Sequence, residues 1–332
     1  MKNLMRSKKH SIPISILLLV AFFFTGCTAL NKAQQRRQAR VKQEQKKHYL
    51  TFERPTSEIA VSPDGLKIDS KHYTLTFAED LWEHEDFDEP RERQDMGRGA
   101  LLFMEGLYDF VHEIFGFEPN RRMNVVLYQT FMGNTRTATT QINYQTVYHN
   151  GKALKTVDRI QMNFPLEMFS QRGVRAHELT HAFTQIYQLP IWFAEGIAVF
   201  VQLEQVKGSG HTKIDIQREL RLDFDGMNAV QNWAGHRDAS PDIARWGYDY
   251  AYSIVSEVKA RFGEDFYLRL FRLIEEDQLH QRLPNEMSTS MLIYYMSQAA
   301  GQDLVPFFED LQFRIRRLTR AEILSTIRHA TQ

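Results

Sequence analysis

Val174-Arg175-Ala176-His177-Glu178-Leu179-Thr180-His181-Ala182-Phe183 reads as unbroken helix and carries the chemistry of the chain. Ala176, Leu179 and Phe183 fall where a helix turns its apolar side to a core. His177 and His181 are four apart, so their imidazoles leave the same face. Two imidazoles so placed can meet one Zn²⁺ at about 2.0–2.1 Å. Glu178 follows the first histidine and points beside the metal, towards water on it, as a general base does. Zinc lowers the pKa of such water, and the carboxylate takes the proton as the water attacks a carbonyl. A catalytic zinc also has a third protein ligand and an open position. Glu195 is the candidate for that ligand.

The helix is expected over Gln171–Tyr187, stopping before Leu189-Pro190 because a residue ahead of proline disfavours helix. A second helix is expected from Trp192 to Gln205. The turn between them lets the two pack side by side and bring Glu195 to the histidines. Gly196 permits close backbone approach next to that ligand.

Leu189-Pro190-Ile191-Trp192-Phe193-Ala194-Glu195-Gly196-Ile197-Ala198 resembles the second motif of the gluzincin branch of zinc metallopeptidases. The resemblance implies an α+β, thermolysin-like fold with a mixed N-terminal sheet and a helical C-terminal half. It implies that His177, His181 and Glu195 bind zinc and that Glu178 is the catalytic base. Gluzincins of the aminopeptidase type also carry an oxyanion-stabilising tyrosine at a helix start, about fifteen residues before a glycine. Tyr248 stands fifteen residues before Gly263 and takes that role, with Tyr250 and Tyr252 as competitors on the same turn. In this clan an edge strand pairs with the extended substrate backbone, which places Gln161-Met162-Asn163-Phe164 in that role.

Two departures shape the expectation. Nothing resembles the Gly-x-Met-Glu-Asn element that holds a free substrate amine in the aminopeptidases, which favours an endopeptidase. One turn after Glu195 stands Val199, which cannot orient a zinc histidine as a carboxylate does in thermolysin. Another group must do so.

Elsewhere, His72–Phe77 and Arg159–Phe164 alternate and read as strands, with a short apolar strand at Met123–Leu127. Glu79–Asp95 is an acidic surface segment. Gly97–Phe115 has helical spacing and a stop at Gly116. The polar stretch Phe131–Asn150 is a meander or a long active-site loop. Helices are expected over Ala251–Arg261, Asp265–Glu276 and Glu286–Ala300, and a last one begins at the capping box Thr319-Arg320-Ala321-Glu322. His112 reads as a core or boundary histidine, while His149, His211 and His236 receive no role.

The 332 residues carry a hydrophobic fraction of 43%, enough for a large core, and a formal net charge of zero, which gives no case for a nucleic-acid partner. Lys2, Arg6, Lys8 and Lys9 precede the apolar run Ile12–Phe24, as in a secretory signal. Phe24-Thr25-Gly26-Cys27 resembles the cleavage box of bacterial lipoprotein signals, with Phe24 where Leu is usual. Cys27, the only cysteine, is then a lipid attachment point. The resemblance implies an acylated protein held on the cell envelope, with Thr28 favouring the outer membrane, facing the periplasm. The expected organisation is a signal over 1–26, a basic and Gln-rich tether over 27–48, an α/β subdomain with the zinc helices over 49–205, and a helical subdomain completing the cleft over 206–332. The leading expectation is a lipid-anchored zinc peptidase acting on peptides or proteins. Its rivals are a hydrolase of a peptidoglycan-type amide and a catalytically silent zinc-binding envelope lipoprotein.

Overall fold

Apolar–polar alternation in the N-terminal half builds one six-stranded mixed sheet. The structure is a computed structural model and describes residues 58–81, 89–119, 121–129, 137–149, 152–206, 210–235, 240–279 and 287–330. Strands β1 (Ala60–Val61), β2 (Lys67–Asp69) and β3 (Tyr73–Phe77) form an antiparallel meander. Helix α1 (Pro90–Phe115) crosses to β4 (Met123–Tyr128), which runs parallel to β3. A hairpin of β5 (Thr139–His149) and β6 (Lys152–Pro165) completes the sheet in the order β1-β2-β3-β4-β6-β5. Tyr73, Leu75, Met123, Val125, Leu127, Ile160, Met162 and Phe164 are buried at alternate positions, as the two-residue period requires.

Three sequence expectations change here. First, α1 begins at Pro90, inside the stretch taken as acidic surface. Proline at a first helical turn forfeits no intrahelical hydrogen bond, and its fixed φ suits the helix. Gly116 ends α1 at φ 76, its N–H donating to His112 O, while the His112 side chain is exposed. Second, the polar stretch before residue 150 holds β5, an eleven-residue strand. It lies at the sheet edge with both faces partly wet, so hydrophobic alternation is weak and only its Thr, Ile, Val and Tyr content marks a strand. Third, Gln161–Phe164 is not an edge. β6 pairs with β4 on one side and β5 on the other, so at this end of the sheet β5 is the edge strand among the described residues, as β1 is at the other end.

After the short α2 (Leu166–Phe169) the chain becomes helical. Helix α3 (Arg172–Thr184) tightens into a 3₁₀ turn at Gln185–Tyr187, and Gln188 turns the chain in the left-handed region at φ 49. Helix α4 (Ile191–Gln205) follows, with Pro190 as its N-cap. Helix α5 (Pro241–Phe262) starts ten residues before the expected Ala251, so Tyr248 sits in its third turn and not at a helix start. Pro241 opens this helix, and the glycine inside it has a packing reason. A Cβ on Gly247 would stand 2.3 Å from the ring of Trp233. The remaining helices are α6 (Phe266–Glu276), α7 (Thr289–Ala300), α8 (Val305–Asp310) and α9 (Arg320–Ala330). The expected capping box precedes α9: Thr319 N donates to Glu322 Oε2 at 2.7 Å and Glu322 N to Thr319 Oγ1 at 3.3 Å.

Phe115 of α1, Phe183 of α3 and Phe271 of α6 pack with Phe117 and Tyr187 in tilted and edge-on pairs, so an aromatic cluster joins the sheet-side helices to the C-terminal ones. The described residues fall in one compact unit. The expected signal, Cys27 and the tether lie outside the described residues. Among the described residues no helix is long and apolar enough to cross a membrane.

Gly196 fixes how α4 meets α5. A Cβ there would stand 2.8 Å from both C and O of Ala251 and 3.0 Å from Val255 Cγ2. Backbone cannot swing aside as a side chain can. Gly196→Ala is therefore expected to destabilise the protein by about 1–3 kcal/mol, the usual range for overpacking. Chemical denaturation measures it, and an unchanged midpoint would contradict so close a packing.

Candidate metal centre

Helix α3 places His177 and His181 one turn apart, and the reversal at Gln188 brings Glu195 of α4 against them. His177 Nε2 and His181 Nε2 are 3.1 Å apart. Glu195 Oε2 lies 3.2 Å from the first and 3.4 Å from the second. These atoms form the group of potential metal ligands found among the described residues. Tetrahedral ligands about 2.0–2.1 Å from an ion stand about 3.3–3.4 Å from each other, so the triangle has the size of a zinc site.

The local chemistry agrees with a cation at its centre. Gln202 Oε1 faces His177 Nδ1 at 3.2 Å and holds the ring with Nε2 turned towards Glu195 and His181. Glu195 Oε2 and His181 Nδ1 are buried without an aligned hydrogen bond. Burial opposes charge on Glu195, but the charge of His181 and the contact with His177 prevail and hold its carboxyl well below the usual range. Burial likewise lowers the His181 pKa, and Glu195 more than reverses this. Two imidazoles, a carboxylate and this spacing fit a tetrahedral divalent ion such as zinc.

Gln202 also answers the question left by Val199. Val199 is fully buried in the core, while Gln202, two turns beyond Glu195 on the same face of α4, reaches the ring. Gln202→Leu is expected to lower metal affinity about 10–100-fold. Competition with a chelating dye measures it, and unchanged affinity would remove Gln202 from this role.

The triad lines a cleft of about 840 Å³ between β5 and helices α3 and α4. Glu178 lines it too, and Thr140 of β5 donates from Oγ1 to Glu178 Oε2 at 2.6 Å. Tyr248 enters from α5, its ring 6.2 Å from that of His177 and edge-on to Trp233 at 4.8 Å. Burial first, then the carboxylates of Glu195 and Glu178, push the Tyr248 hydroxyl far above its ordinary pKa, so it keeps its proton. Tyr250 is fully buried, and its hydroxyl donates to Ile216 O at 2.7 Å and accepts from Asn228 Nδ2 at 3.3 Å. Tyr252 is not among the residues lining the cleft. Of the three tyrosines, Tyr248 is the one the fold brings to the triad.

Sequence reasoning missed two residues of this cleft. Thr140 gave no local signal, because its partner lies 38 residues away. His211 also lines the cleft, its Nδ1 3.0 Å from Asp249 Oδ1 and its ring 5.4 Å from Tyr248. Asp249 follows Tyr248 in sequence, yet nothing near residue 211 points to it. His149 ends β5, and His236 lies outside the described residues.

No protein-family model matches the chain, and no curated protein matches it.

Proposed function

We propose that the chain is a zinc-dependent endopeptidase on the thermolysin-like, gluzincin plan, held on a bacterial cell envelope through an acylated Cys27. The observation that carries this reading is the triangle of His177, His181 and Glu195 with Glu178 beside it in one cleft. Envelope attachment rests on the lipoprotein-like Phe24-Thr25-Gly26-Cys27 alone.

His177, His181 and Glu195 would hold the ion, and bound zinc supplies Lewis acidity that makes water a nucleophile at neutral pH. Glu178 takes the proton from the attacking water and returns it to the leaving amine. Thr140 holds the Glu178 carboxylate in place from β5. Tyr248 donates a hydrogen bond from its hydroxyl to the oxygen on which negative charge develops. The bare side of β5 pairs with an extended peptide, taking the role first given to Gln161–Phe164. Among the described cleft residues the carboxylates are Glu178 and Glu195, both already engaged. None is left to hold a free substrate amine, which supports internal cleavage.

Purified protein is expected to hold about one zinc per chain and to cleave a mixed peptide library at internal bonds. Absence of metal, even after cobalt reconstitution, would sink the metal reading. Cleavage of peptidoglycan fragments alone would move the substrate to a cell-wall amide. Failure to cleave anything, with Glu178→Gln still complementing a deletion strain, would make the protein a silent binding lipoprotein.

A further inference from the structure

On the side of α3 that faces α1, away from the triad, stands a cation with no counter-charge among the described residues. Arg175 is only 7% exposed. Its guanidinium lies over the rings of Phe103, at 4.4 Å, and Phe169, at 4.9 Å. Arg172 lies over the same Phe103 ring at 5.0 Å. The Arg175 Nε is buried without a hydrogen-bond partner, and no carboxylate among the described residues pairs with this guanidinium. Burial and the nearby Arg172 both work against its charge.

Arginine stays protonated, so the positive charge remains whatever it costs. Two phenyl faces recover part of that cost. They offer nothing to the N–H groups, which lie in the ring plane of the guanidinium. The backbone adds to the imbalance. Both arginines belong to the first turn of a thirteen-residue helix whose N-cap, Gln171, makes no side-chain capping hydrogen bond. Long side chains on a helix lean towards its N-terminus, so Arg175 reaches towards these amides. The helix end contributes roughly half a positive charge.

We propose that the first turn of α3, with Arg172 and Arg175, binds a phosphate group. Two guanidinium charges and a helix end together suit a phosphate, which carries about −1.5 to −2 at pH 7, better than a singly charged carboxylate. Its oxygens accept from the Arg175 fork and from the amides of the first turn. Phe103 and Phe169 hold the fork flat and shield it from water. Occupancy fastens the start of the helix that carries both histidine ligands.

The test is thermal unfolding of the full chain with increasing inorganic phosphate, ionic strength being kept constant with chloride. A saturable rise of about 3–8 °C is expected. It is expected to persist with a chelator present, because the Arg175 guanidinium lies over Phe103 and Phe169 and does not line the cleft of the metal ligands. Arg175→Met, which keeps the stem between the rings, is expected to abolish the shift. Arg172→Met is expected to move the midpoint of the titration at least tenfold, and serves alone if Arg175→Met does not fold. No shift in the wild type, a shift that vanishes with chelator, or wild-type titrations in the variants would each overturn the proposal. Glycerol phosphate in a parallel titration separates two sources: tighter binding than inorganic phosphate assigns a phospholipid headgroup, and weaker binding the free ion.

Discussion

Replacing Glu178 by Gln is expected to lower turnover about 10²–10⁴-fold while zinc content stays at the wild-type level. The separation of these two readouts follows from where the carboxylate lies. The ligand triangle is closed by His177, His181 and Glu195 without Glu178, so the metal loses no donor. The amide is nearly the same shape, and Thr140 Oγ1 can still donate to its oxygen as it does to Glu178 Oε2. Only the capacity to accept a proton disappears. Single-turnover cleavage and metal analysis on one preparation check this together. Wild-type turnover in the variant would remove Glu178 from its place as base. Lost zinc would make it a ligand instead.

The second large effect is expected at Tyr248. Tyr248→Phe should lower kcat about 10²–10³-fold with little change in KM, as loss of one oxyanion donor does. The phenyl ring keeps the packing on Trp233 and His211, so folding is expected to be normal. Tyr250→Phe supplies the contrast. Its hydroxyl is tied to Ile216 O and Asn228 in the core, so its loss is expected to cost about 1–3 kcal/mol of stability and to leave kcat alone. A Tyr248→Phe enzyme with unchanged kcat would leave His211, beside it in the cleft, as the group to examine.

Much of the centre was legible because its parts are local. His177 and His181 share a helix face by spacing alone, and a turn of a few residues brings Glu195 to them. Gln202 was also within reach: seven residues after Glu195 is the same helix face two turns on, one turn beyond Val199. Thr140, His211 and Asp249 were not legible, because their meeting depends on tertiary placement over 38 residues. The strand β5 was hidden for another reason. An edge strand with both faces partly wet does not show the alternation that reveals β3 and β4. The start of α5 was hidden by Gly247, whose place inside a helix is explained only by the ring of Trp233 against it.

That same edge strand carries a liability. Natural sheets guard their borders against self-association with lysine, proline, bulges or brevity. From Thr139 to His149 there is no proline, glycine, lysine, arginine or carboxylate, and the run is eleven residues long. The register shift opposite Asn143/Tyr144 puts its extra residue, Asp158, on β6 and not on this border. A border without these guards, on which the proposed peptide would lie, is equally open to the border of another copy. Crowding two such molecules together would then hide both clefts at one stroke.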